Sequence, residues 1–169
     1  MQKKETAKSN KIEFSKDFLD FFALLNENKV EYMLIGGYAV SFYGYPRFTG
    51  DIDIWINNTK RNAVKVIKSM SEFGIPVQKI KVEDLTSNEP MNGLYFGKEP
   101  YRIDIITALE ELSFKKSYKS FKKIKVNKVT IKVISKSDLI KNKIKSGRHK
   151  DLADVEGMSL TAVSKHSNF

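Results

Sequence analysis

The 169-residue chain contains no cysteine. A disulfide framework and a thiolate-ligated metal are thereby excluded, and a reducing compartment is compatible. Long apolar runs are missing too. The longest, Tyr32 to Tyr45, is broken by glycines and falls short of the ~20 residues that a membrane-spanning helix needs. Residues Met1 to Lys11 are polar and lysine-rich, unlike the apolar segment of a secretory signal. The expectation is a cytoplasmic protein that does not engage a membrane. There is no Gly-x-x-x-x-Gly-Lys-Ser/Thr loop, so a P-loop ATPase is unsupported. The histidines, His149 and His166, are not spaced to share a metal on one helix face, and neither is a catalytic candidate.

Acidic residues are scarce in the C-terminal third. Between Lys115 and Lys150 stand 13 lysines and one arginine against a single acid, Asp138, and the whole chain carries a net charge of +10. A basic face of this kind can attract an anionic partner such as RNA. The plainer reading is preferred: lysines outnumber arginines 26 to 4, and most would solvate outer faces.

The length suits one ordinary domain with a real core. Residues 1–11 read as disordered, 12–160 as a single domain ending in a small helical part, and 161–169 as a weakly specified tail. Phe18, Phe21, Phe22 and Leu25 recur at helical spacing and predict a helix from about Ser15 to Asn28. A buried strand follows at Glu31 to Ile35, then a short helix from Gly37 to Tyr43, then a strand from Asp51 to Ile56. A helix is predicted between Thr59 and Gly74, and an edge strand at Val77 to Val82. Leu94 to Phe96 and Arg102 to Ile106 read as strands around a turn. Ile124 to Val126 and Val129 to Ile134 read as a hairpin across Asn127-Lys128. Ser137 is expected to cap a helix that ends at Gly147, and a last helix carries Leu152, Val155 and Met158.

The chemistry concentrates between Gly36 and Ile54. An apolar run leads into the pair Gly36-Gly37, whose backbone N–H groups can approach a phosphate closely. Asp51 and Asp53 then stand one residue apart at the head of an apolar strand. Residues i and i+2 of a strand share a face, roughly 6.6 Å apart along the chain. Asp104 is the one acid in another apolar strand, Tyr101 to Ile106. Three such carboxylates can hold paired Mg²⁺ ions ~3.5–4 Å apart beside a nucleotide's phosphates. Asp104 would be the third ligand and can also take the proton of an acceptor hydroxyl. An aspartate pair alone is common in turns and surface strands; the glycine pair, Arg47, Thr49 and Asp104 raise its weight. Arg47 can clamp a phosphate through two hydrogen bonds or form a surface ion pair. Thr49 can orient the loop before the aspartates or simply begin a strand. Tyr38, Tyr43 and Tyr45 are better explained by packing than by stacking on a base.

The combination resembles the DNA polymerase β-like nucleotidyltransferase superfamily. Its hallmark is a Gly-Gly or Gly-Ser turn, a spacer, Asp-x-Asp and a third acid on a later strand, matched by Gly36-Gly37, Asp51-Ile52-Asp53 and Asp104. The nearest branch is the small bacterial nucleotidyltransferases, including those related to abortive-infection and toxin–antitoxin systems. Its Arg-x-Thr-x-Asp-Ile-Asp is matched from Arg47 to Asp53. A softer helical motif is matched by Leu139-Ile140, Lys143, Arg148, Lys150 and Asp151. Gly37 stands where many active members have serine, so serine there is expected to be tolerated.

The resemblance implies an α+β fold, a mixed sheet with helices on one side. It also implies dependence on Mg²⁺, or Mn²⁺, and transfer of a nucleoside monophosphate from an NTP, ATP foremost, with release of pyrophosphate. The acceptor hydroxyl would belong to a protein, an RNA end or a small molecule such as an aminoglycoside. Lys143 and Arg148 would face the nucleotide phosphates, although a solvated helix face with favourable C-terminal charge also explains them. The alternative is a non-catalytic, nucleotide-binding antitoxin or partner subunit. A nucleotide-sugar transferase also uses Asp-x-Asp, but the glycine turn and the short chain speak against it.

Overall fold

A computed structural model describes residues 12–164, with side chains described as far as Leu160. The segments 1–11 and 165–169, including His166, lie outside the described residues. Helix α1 (Lys16–Glu27) buries Phe18, Phe21, Phe22 and Leu25, and Ser15 caps it by accepting from the Phe18 N–H at 3.2 Å. Such a cap is worth about 1 kcal/mol. Strand β1 (Tyr32–Ile35) is buried along its whole length and runs straight into helix α2 (Gly36–Phe42). Strand β2 (Ile52–Ile56) leads to helix α3 (Lys60–Phe73), capped by Thr59 and closed by Gly74 at φ 98°.

Strands β3 (Gly93–Phe96) and β4 (Ile103–Ile106) pair antiparallel. The short helix α4 (Phe114–Ser117) precedes β5 (Lys122–Val126) and β6 (Val129–Val133). Asn127 and Lys128 turn that hairpin with φ of 46° and 69°, the two positive angles that a tight two-residue turn requires. Helices α5 (Lys136–Ser146) and α6 (His149–Ser164) close the fold.

The sheet is six-stranded and mixed, in the order β3-β4-β2-β1-β6-β5. The central pair β1 and β2 is antiparallel, while β1–β6 and β2–β4 are parallel. This is the α+β mixed-sheet architecture that the resemblance implies. Among the described residues no helix is long and apolar enough to cross a membrane. Lys122, Lys123 and Lys125 are exposed on β5, the strand at one end of the sheet. Lysines there discourage pairing with another chain's edge, which accounts for part of the basic stretch without a nucleic acid.

Three expectations need correction. No strand forms at Val77 to Val82. Lys81 donates its backbone N–H to Asp84 at 2.8 Å and starts a 3₁₀ turn, Val82–Leu85. Val77, Ile80 and Val82 still pack on the core, so these apolar positions report burial and not pairing. The cap of α5 is Ser135, whose Oγ accepts from the Asp138 N–H at 3.3 Å, and not Ser137. Helix α6 continues past residue 160 to Ser164.

Candidate active site

Both members of the glycine pair are required, for different reasons. Gly36 has φ +69°, and a Cβ there would run into the Asp53 carboxylate. Gly37 has no such backbone demand, but a Cβ there would lie 2.9 Å from both Cβ and Oγ1 of Thr49. Any side chain at 37, serine included, must displace Thr49. The glycines therefore let α2 start directly against the head of β2. Ile35, the residue before α2, offers no side-chain cap to its first turn.

Register brings the acids together. Asp53 pairs with Ile35 across β1 and with Asp104 across β4. The three acids, both glycines, Arg47, Thr49, Lys143 and Arg148 line one cleft of about 280 Å³, together with Arg102, Tyr95 and Lys150. The Thr49 hydroxyl donates to the Asp51 carbonyl at 3.4 Å, within the loop that precedes β2. A larger neighbouring cavity of about 760 Å³ shares Arg47 and Thr49 and is faced by Phe14, Tyr38, Phe48 and Tyr101. It holds none of the three acids.

The cations divide into two groups. Arg102 donates from Nε and Nη2 to the two oxygens of Asp104 at 2.8 and 2.9 Å, and Nη2 lies 3.4 Å from Asp51. On the other side, Arg47 grips Asp154 at 2.6 and 3.0 Å. The Lys143 ammonium bridges Asp151 at 2.8 Å and Asp154 at 3.0 Å. Arg148 and the Ser146 hydroxyl complete Asp151 at 2.6 and 2.7 Å. Burial alone would push Asp151 up, but the hydrogen bonds from Arg148, Lys143 and Ser146 win and hold it near 2. Lys143, Asp151 and Asp154 are all buried. The charges of Arg47 and Lys143 thus compensate acids of α6 in this structure. Arg148 is more than half exposed and can reach a ligand while keeping Asp151.

Asp154 and Arg102 are the two participants that sequence reasoning missed. A signal existed for each. Asp154 lies three residues after Asp151 on a helix, and Arg102 lies two before Asp104 along one strand face.

The three acids suit a hard divalent cation by their donor chemistry, since Mg²⁺ takes oxygen ligands. Burial, then the charges of Asp104 and Asp51, push the Asp53 carboxyl up to about 6, with Lys143 and Lys150 pulling back. Negative charge is therefore held there at a cost that a cation would relieve. Among the described residues no three such side chains already stand in metal-holding geometry, and both oxygens of Asp104 accept from Arg102. A pH prediction follows from Asp53. Its folded value lies above the unfolded 3.8, so the folded state holds the proton more tightly. Stability from this group is greatest below about pH 4 and falls as pH rises through about 6. Asp53→Asn should raise the melting temperature of metal-free protein at pH 7.5 by a few degrees, on the order of 1–2 kcal/mol. At pH 3.5, below both values, it should change little. Calorimetric scans at both values check this; equal shifts at both would refute it.

Residues 17–165 match the family described as "Nucleotidyltransferase of unknown function (DUF6036)". The chain belongs to that family. No curated protein matches it significantly. Solved structures share the nucleotidyltransferase fold. One, from Thermotoga maritima and described provisionally as a nucleotidyltransferase, aligns with TM-score 0.58 at 18% identity, covering 82% of this chain and 88% of the other. The lincosamide antibiotic adenylyltransferase LnuA, solved with lincomycin bound, aligns at 0.53 with 19% identity, over 86% and 96%. An antigenic nucleotidyltransferase-like protein from Paracoccidioides brasiliensis aligns at 0.52 with 15% identity, over 86% and 77%.

Proposed function

We propose that this nucleotidyltransferase-family protein transfers a nucleoside monophosphate from an NTP, ATP foremost, to an acceptor hydroxyl in the cytoplasm. The observation that carries the reading is the placement of Asp51, Asp53 and Asp104 in one cleft with the Gly36-Gly37 turn, Asp53 and Asp104 in register on neighbouring parallel strands. Asp51, Asp53 and Asp104 would hold the divalent cation, Mg²⁺ or Mn²⁺. When bound, that cation would neutralise phosphate charge and polarise the attacking oxygen. The uncapped first turn of α2 offers backbone N–H groups to the phosphates, and Arg148 adds a positive charge at the same cleft. Asp104 accepts the acceptor's proton as its oxygen bonds to the α-phosphorus. The α–β phosphoanhydride bond breaks and pyrophosphate leaves. Such chemistry is mostly positioning and charge neutralisation, which fixed side chains of this kind supply.

The larger cavity beside Thr49 has the volume of a small-molecule site, and it offers an acceptor aromatic walls together with the charged side chains of Glu13 and Arg47. Incubating the protein with α-labelled NTPs, Mg²⁺ and a cell extract tests the reading. Label on a small molecule, a protein or an RNA identifies the acceptor. Nucleotide binding with no transfer to any component would favour a non-catalytic partner subunit, as in a toxin–antitoxin pair.

A further inference from the structure

Among the described cations that line the cleft, Arg102 is set apart by what it holds. Arg47, Lys143 and Arg148 each pair with Asp151 or Asp154, buried acids of α6. Arg102 instead pairs with two of the three acids assigned to the metal. It engages both oxygens of Asp104 and approaches Asp51, so one guanidinium bridges the heads of β2 and β4. We propose that Arg102 is a resident counter-cation of the acid cluster, competing with the divalent ion and releasing Asp104 and Asp51 when that ion arrives. This inference rests on the metal-site reading above.

Three carboxylates cannot stand together in a half-buried cleft without compensation. Arg102 provides it for Asp104 and Asp51 when no metal is bound, while Lys143 and Lys150 line the same cleft as Asp53. A guanidinium and a divalent cation cannot both occupy the oxygens of Asp104 without repelling each other, so binding is an exchange.

The contacts suit exchange. The side chains of Arg102, Asp51 and Asp104 are 35%, 29% and 21% exposed, whereas Asp154 under Arg47 is 1% exposed. Arg102 can therefore leave through water, and Asp154 cannot be uncovered without opening the core. A second resting place adjoins it: the guanidinium carbon lies 5.6 Å from the centre of the Tyr95 ring, an exposed side chain on β3. Cation–π attraction there is worth ~0.5–1 kcal/mol at an exposed site, enough to bias the freed side chain and too little to trap it. Once freed, the guanidinium faces the cleft where the phosphates would lie, and a phosphate accepts from arginine as a carboxylate does. Metal and nucleotide would then bind cooperatively, the first freeing the group that the second uses.

The sign of one substitution separates this role from its rival. Arg102→Gln removes the competitor, so metal-free protein should bind Mn²⁺ alone, without nucleotide, at least ~5-fold more tightly, as read by electron paramagnetic resonance of unbound Mn²⁺. It should also melt lower than wild type without metal and regain more on adding Mn²⁺. If Arg102 instead holds Asp104 in place for the metal, as outer partners of metal ligands do, affinity falls, and the proposal is overturned. Unchanged affinity overturns it as well. Asp51→Asn with Asp53→Asn is the control. Should neither wild type nor Arg102→Gln bind Mn²⁺ in a manner that this control abolishes, the metal-site reading fails and the counter-cation falls with it. Should binding depend on the aspartates yet not tighten in Arg102→Gln, the metal site stands and only the competition is wrong.

Discussion

Lys143→Met is expected to cost about 3–5 kcal/mol of stability, the usual penalty for removing one partner of a buried ion pair. Lys143 stands between Asp151 at 2.8 Å and Asp154 at 3.0 Å. All three residues are buried. Methionine keeps most of the volume and removes the charge. Asp154 would retain Arg47, and Asp151 would retain Arg148 and Ser146, but each would lose its most buried partner. The contact between α5 and α6 should loosen, lowering the melting temperature by roughly 6–20 °C. Adding Asp151→Asn should recover part of the loss, because the two changes share one network. Thermal unfolding of the three variants checks this. A single mutant that melts within ~2 °C of wild type would show that the network does not hold the helices.

The second large effect concerns catalysis. Asp104→Asn should fold normally, since asparagine can still accept a hydrogen bond from Arg102 and the position is only half-buried. Nucleotide binding should persist through Asp51, Asp53 and the glycine turn. Transfer should fall by at least ~100-fold, the common consequence of losing a general base. Rates measured on the acceptor found by labelling, with melting curves alongside, separate the outcomes. Transfer at the wild-type rate would make Asp104 a structural partner of Arg102 and nothing more.

The heads of the central strands were legible because their chemistry is local. Gly36-Gly37 and Asp51-Ile52-Asp53 each sit within a few residues, and apolar runs mark the strands that carry them. Asp104 could be joined to them because it is the one acid in an apolar strand. What could not be read was which charge answers which. Arg47 meets Asp154 across 107 residues, and no local pattern encodes that contact. The Arg102–Asp104 pair is local, but an arginine beside an acid on a strand also suits an exposed face. Val77 to Val82 misled because a short stretch with β-branched residues can be half-buried without pairing in a sheet. The glycine pair is legible as a close-approach turn, but the neighbours that require it are not: Gly36 makes room for the Asp53 carboxylate and Gly37 for Thr49, contacts that the local pattern does not encode.

The account depends most on the claim that Asp51 and Asp53 bind nucleotide through a divalent cation. Titration calorimetry of ATP into wild type and into the double variant Asp51→Asn, Asp53→Asn, each with and without Mg²⁺, tests it directly. The expected result is saturable binding to wild type only when Mg²⁺ is present, and none to the folded double variant. Equal affinity in the two proteins, or binding to wild type that ignores Mg²⁺, would contradict it.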